Sequence, residues 1–170
     1  MTLDDLTVNF EHLDRATLLE DWEWLIGKTK PPILISAFGD AFLQDAGDGT
    51  VHLLDVGANQ IGFIAESVDE FKELLSDRNF VGKYFNVQVI GDLRLKGLVL
   101  KPRQIYSFIT PAVLGGQYAL DNIEIADIAV HFSIAGQIGR QVKDVPPGTP
   151  IKSIAIEESP KLKRGWRFWQ

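Results

Sequence analysis

The sequence predicts a single α+β domain, an antiparallel β-meander packed with about four α-helices. Three observations lead there. Between residues 33 and 66 three β-forming runs, ILISAF, AFLQDAGDGTVHLLD and QIGFIAE, are separated by Gly-Asp, Asp-Gly and Gly-Ala-Asn turn signals. Flanking segments carry apolar residues at helical spacing. The chain of 170 residues, 45% hydrophobic and 24% charged, has the size and composition of one globular unit with one core.

The elements follow in order. From Asp14 to Lys28, Leu18, Trp22, Leu25 and Ile26 form the stripe of an amphipathic helix that Pro31 and Pro32 close. Trp24 falls off that stripe, so it is expected to meet a second element, as large aromatics are usually well buried. The meander comes next. Asp45 to Gly49 lacks both the alternating ligand spacing and the closing Glu of a calcium loop, so it reads as a hairpin turn. Ser67 with Glu70 is a capping-box pair, and Val68, Phe71, Leu74 and Leu75 are the buried stripe of the helix it starts.

Residues 81 to 97 fit both a strand and a helix, and their length with the Lys96-Gly97 ending favours one helix. Residues 98 to 122 read as an aromatic-bearing connection with a short strand near Ile105 to Ile109. A helix capped by Asp127 should run to Lys143, stopped by Pro146, Pro147 and Gly148, with Gly136 and Gly139 allowing close packing. A strand from Ile151 to Ile156 would complete a domain spanning residues 1 to 160. Residues 161 to 170 form a basic, aromatic C-terminal tail.

Several chemistries are excluded or disfavoured. There is no cysteine, hence no disulfide, thiol nucleophile or cysteine zinc site. G-x-S-x-G and both glycine-rich phosphate motifs are absent from the sequence. His12, His52 and His131 are spread over an N-terminal helix, a strand and the last helix without metal-ligand pairing, so no metal and no cofactor are expected. Carboxylate-dependent hydrolysis stays open as a minor alternative, because the fold decides which acids converge.

Charge points to a partner. The chain carries 23 acids and 17 bases, and four of those bases, Lys161, Lys163, Arg164 and Arg167, lie in the tail. The remaining 13 against 23 leave residues 1 to 160 at −10, a body that repels nucleic acid and attracts a basic protein. Asp40, Asp45, Asp48 and Asp55 concentrate in the meander and are the expected contact residues. A pocket for a small molecule or peptide around Tyr106, Tyr118 and Gln137 is the alternative, on polar-tipped groups near glycine-rich backbone. The N-terminus carries acids where a secretory signal carries bases, and no apolar run approaches a membrane span, so a cytoplasmic protein without membrane contact is expected.

Taken in order, LEDWEWLIG, FGDAFLQDAGDGTVHLLD, PAVLGGQYALDNIE and GQIGRQVKDVPPGTPI resemble the C-terminal domain family of immunity proteins that protect type VI secretion bacteria from their own DNase effectors. The likeness runs from about residue 18 to 156. It implies an α+β domain in the cytoplasm that binds a cognate toxin and blocks it without catalysis. The tail lies outside this likeness.

Overall fold

The structure is a computed structural model and describes residues 1–146 and 148–158, so Pro147 and the predicted tail lie outside the described residues. Its centre is a four-stranded antiparallel meander of β1 (Pro32–Ile35), β2 (Ala41–Gln44), β3 (Val51–Asp55) and β4 (Gln60–Ala65), paired in sequence order. Neighbouring residues of β2 and β3 point to opposite faces, and both faces are apolar. Phe42, Val51 and Leu53 face one side; Ala41, Leu43 and Leu54 face the other. The strands therefore read as apolar clusters rather than a clean alternation, because helices cover the sheet on both sides.

On the first side lie α4 (Val68–Leu74), α5 (Arg78–Tyr84) and α6 (Val87–Leu95), which bury Phe71, Phe85, Ile90 and Leu93. Ser67 caps α4 as predicted: its hydroxyl accepts the Glu70 amide at 3.2 Å. Glu70 returns to the Glu66 amide at 2.7 Å, one residue before the cap. The single helix predicted over 81 to 97 is instead two, α5 starting early under an Asp77 cap and α6 following a break at Asn86. Asn86 is in the left-handed conformation at φ 50°, which its short polar side chain tolerates and a continuing helix does not.

The second side is covered by α7 (Ile128–Val142) and by N-terminal turns. Asp127 caps α7 as expected, accepting the Ala129 and Val130 amides. The predicted helix from Asp14 to Lys28 breaks into α2 (Arg15–Leu18), a 3-10 turn over Glu20–Trp22 and α3 (Glu23–Ile26), after a short α1 (Leu3–Leu6). Two broken helices and α1 raise the helix count from about four to seven among the described residues. His12 lies in a turn rather than a helix.

The cause of the N-terminal break is contact with α7. The Trp22 indole N–H donates to the Phe132 carbonyl at 3.0 Å and that of Trp24 to Gly136 at 3.3 Å, so Trp24 does meet a second element. At Gly136 a Cβ would sit 2.6 Å from the Asp21 carbonyl oxygen, so the 3-10 turn rests directly on helix backbone.

The predicted strand near residue 105 is β5 (Gln104–Phe108). It pairs antiparallel with β6 (Ile123–Asp127), which the sequence reading had left unassigned. Tyr106 N–H donates to the Ala37 carbonyl at 2.8 Å, tying this two-stranded sheet to the end of the meander. Residues 151 to 156 form no strand. Gln141 bonds both backbone groups of Ala155 and Gln137 both of Glu157, so two glutamines four apart on a helix hold residues two apart on an extended segment. The spacings agree at roughly 6 Å each. The strand expected there is therefore absent, and the backbone of Ala155 and Glu157 is held by the α7 face instead.

Candidate functional site

Where the meander, the β5–β6 sheet and α7 meet, the chain leaves a cavity of about 350 Å³. Its floor begins with hairpin arithmetic. Ala41 pairs with Leu54 and Gln44 with Val51, so Asp40 and Asp55 face each other one step beyond the paired strands. Asp40 Oδ1 accepts the Val56 amide at 3.0 Å and Asp55 Oδ1 the Ala58 amide at 2.7 Å. Burial pushes the Asp40 carboxyl up to about 7, the charge of Asp55 adds to the rise, and the Val56 amide opposes it.

From the opposite wall α7 offers His131. Its Nδ1 shares a hydrogen bond of 3.1 Å with Ser107 Oγ on β5. Its Nε2 is buried against the Gly39 backbone without a well-formed hydrogen bond. Gly39, at φ +78°, is required twice: for its left-handed backbone and because any Cβ would strike this imidazole. Burial pushes His131 down to about 4. A Ser–His pair alone does not make a nucleophile: no acid orients the second nitrogen among the described residues, and an imidazole near 4 is a poor base at neutral pH.

Aromatic rings complete the walls. Phe38, Tyr84, Phe108 and Tyr118 line the cavity, with Phe108 and Tyr118 edge to face at 4.9 Å. Lys83 stands among the lining residues with Nζ over the Tyr84 ring at 4.7 Å. Tyr118 is largely exposed, yet its hydroxyl approaches Gly57, where a Cβ would lie 3.2 Å from it and 3.6 Å from Asp55 Oδ1. Burial, then the charges of Asp55 and Asp40, raise the pKa of this phenol. The arrangement has two chemical capacities, proton exchange near neutral pH and attraction of a cation.

The four acids expected to share one face do not. Asp40 and Asp55 line the cavity, whereas Asp45 and Asp48 sit at the other end of the hairpin, roughly 15 Å along the strands. There Asp45 pairs with Lys30 at 2.8 Å and accepts the Gly47 amide, and Asp48 accepts both the amide and the hydroxyl of Thr50. The expected hairpin turn is thus present. The three pocket residues also separate. Tyr118 lines the cavity; Tyr106 is buried in the core with its hydroxyl donating to the Leu98 carbonyl at 2.7 Å; Gln137 holds the C-terminal segment. His131, Ser107, Lys83 and Tyr84 were missed, because they come from separate elements that no local sequence pattern groups. Among the described residues no group of three His, Cys, Asp or Glu side chains could hold a metal ion.

Fold and site together define a small α+β domain with an aromatic and acidic cavity where its two sheets meet. Residues 65–139, from the end of β4 into the last turns of α7, match the family described as T6SS immunity protein Tdi1, C-terminal. This is the family the sequence resembles. Among solved structures, the crystal structure of Atu4351 from Agrobacterium tumefaciens is similar in fold: 19% identity, TM-score 0.52, covering 85% of this chain and 71% of that one. Curated proteins give no match.

Proposed function

We propose that this protein is an immunity protein that neutralises a secreted, type VI-like nuclease toxin by binding it directly in the cytoplasm, without catalysis. The match of residues 65–139 to an immunity family carries the reading. One further observation supports it. The body outside the tail carries 23 acids against 13 bases, a field that favours encounter with a basic nuclease surface. Among the described residues no helix is long and apolar enough to cross a membrane.

The test is co-expression with any nuclease-like protein found encoded beside it in the source genome, followed by binding kinetics at two salt concentrations. Rescue of growth, a 1:1 complex and an association rate that falls steeply with salt are the expected results, with dissociation changing less. Failure to rescue, with no complex formed at low salt, would remove the immunity reading. Of the four acids expected at the contact, Asp40 and Asp55, which line the cavity, are the pair we propose for it, since Asp45 is paired with Lys30 and Asp48 with Thr50.

A further inference from the structure

The cavity holds more negative charge than its walls neutralise. Asp40, Asp55 and Glu124 all line it, and none forms an ion pair among the described residues. Asp40 is acted on by Asp55 and by no base strong enough to offset it. Lys83, the base in the lining, lies over Tyr84 instead. Two carboxylates side by side in a partly closed space are costly unless a cation joins them.

We infer that this cavity is a binding site for an organic cation, an ammonium or guanidinium on an apolar stem, with the charge held by Asp40 and Asp55 and the stem against Phe38, Phe108 and Tyr118. The size of the space argues against a bare ion. About 350 Å³ is far more than the roughly 30 Å³ share of one water, and Phe38, Tyr84, Phe108 and Tyr118 add aromatic surface that a bare ion would leave unused. Aromatic faces attract organic cations through the ring quadrupole, and the Lys83–Tyr84 contact shows that this lining already accepts an ammonium. Unlike an acidic cluster on an open surface, the pair is half-buried at the floor of a cavity, and each carboxylate accepts one backbone amide, which leaves acceptor capacity for a ligand.

The ligand has two possible sources with the same chemistry, a free amine or the basic side chain of a protein partner. The site stands without the immunity reading, since either source fills it. Binding should also depend on pH. The charged and titratable groups that line the cavity with Asp40 are Asp55, Glu124, Lys83, Tyr84, Tyr118 and His131. His131 stays neutral at about 4 and Tyr118 stays protonated, whereas Asp40 at about 7 must lose its proton for the cation to pair with it. Affinity should therefore rise about tenfold between pH 6 and 8, the ratio of ionised Asp40 at the two.

The experiment titrates the full chain with n-butylguanidinium, n-butylammonium and neutral N-butylacetamide, followed by nuclear magnetic resonance and calorimetry. Saturable binding of the two cations, centred on residues of the cavity and absent for the amide, is expected. D40N retains an acceptor for the Val56 amide and should weaken it tenfold or more. Y118A removes a largely exposed ring, so its folding is not at risk, and should weaken it several-fold. Asp45→Asn with Asp48→Asn should leave it unchanged. A second arm adds the cognate toxin: competition by n-butylguanidinium assigns the site to a partner's side chain, and undisturbed simultaneous binding assigns it to a free amine. Cation binding no stronger than that of the amide, or equal binding by the parent, D40N and Y118A, would overturn the inference whatever the toxin does.

Discussion

Replacing Gly136 by alanine tests the packing that breaks the N-terminal helix. A Cβ there would lie 2.6 Å from the Asp21 carbonyl oxygen, 2.8 Å from its carbon and 2.9 Å from its Cβ, and two of these atoms are backbone. The 3-10 turn must move away, which loosens the Trp22 bond at 3.0 Å, the Trp24 bond at 3.3 Å and the Ser133 hydroxyl's bond to Asp21 at 2.7 Å. Overpacking costs about 1–3 kcal/mol, and weakening one or two buried bonds adds about 1 kcal/mol each. Helix propensity returns about 1 kcal/mol, leaving a net loss of about 1–4 kcal/mol. Gly82 in α5 is the control, since it is exposed and a Cβ there meets nothing within 4 Å. Gly82→Ala should stabilise by about 0.5–1 kcal/mol. Urea unfolding of the two variants measures the opposite signs directly. If Gly136→Ala is as stable as Gly82→Ala, the turn does not rest on α7 as described.

Phe71→Ala should cost about 3–5 kcal/mol in chemical denaturation, because the ring is buried and lies 4.8 Å from Phe42. Leu74, expected on the same buried stripe, is half-exposed, so Leu74→Ala should cost only about 1–2 kcal/mol; equal losses would misplace the helix face. Removing both Gln137 and Gln141 side chains should free residues 151–158 for hydrogen exchange while the midpoint of global unfolding moves little. Unchanged exchange in that segment would show that other contacts hold it.

Local chemistry was legible where one residue decides the outcome. Ser67 and Asp127 announced their helices, and the Asp45 to Gly49 turn announced its hairpin. Sequence reading failed where tertiary contact overrides periodicity. Leu18, Trp22, Leu25 and Ile26 keep helical spacing although the backbone between them is broken, because both indole N–H groups are drawn to α7. Asn86 was a visible signal that was passed over, since asparagine is among the few residues that tolerate the left-handed region. For the site, Asp40 and Asp55 were named but grouped with the wrong neighbours. A hairpin centred between Asp45 and Thr50 pairs residues whose numbers are symmetric about that centre, so their facing geometry could have been computed from the turn alone. His131 and Tyr118 come from elements far along the chain, and no local pattern brings them to that floor.

The cavity leaves a mark on stability that separates its two buried groups. An acid whose folded pKa is raised, as for Asp40 from 3.8 to about 7, contributes stability that is full below 3.8 and lost as pH rises through 7. A base whose folded pKa is depressed, as for His131 from 6.5 to about 4, contributes stability that is full above 6.5 and lost as pH falls through 4. Between about pH 4 and 6.5 the two slopes oppose each other and largely cancel. The parent should therefore be nearly flat there and lose stability from about pH 6.5 to 7.5, where Asp40 acts alone. Asp5, Asp45 and Asp48, held below the usual carboxylate range, act only at the acid end of this window. Asp40→Asn removes the falling component but keeps the Val56 amide satisfied. Its stability should rise from pH 4 to 6.5 and then level off, exceeding the parent at pH 8 by on the order of 2–4 kcal/mol, a range discounted at its lower end because Asp40 keeps some exposure. Denaturant midpoints at half-unit pH steps test both curves. Parallel curves from pH 5 to 8 would mean that the Asp40 carboxyl ionises normally, so that ionising it in the cavity carries no cost for a cation to relieve.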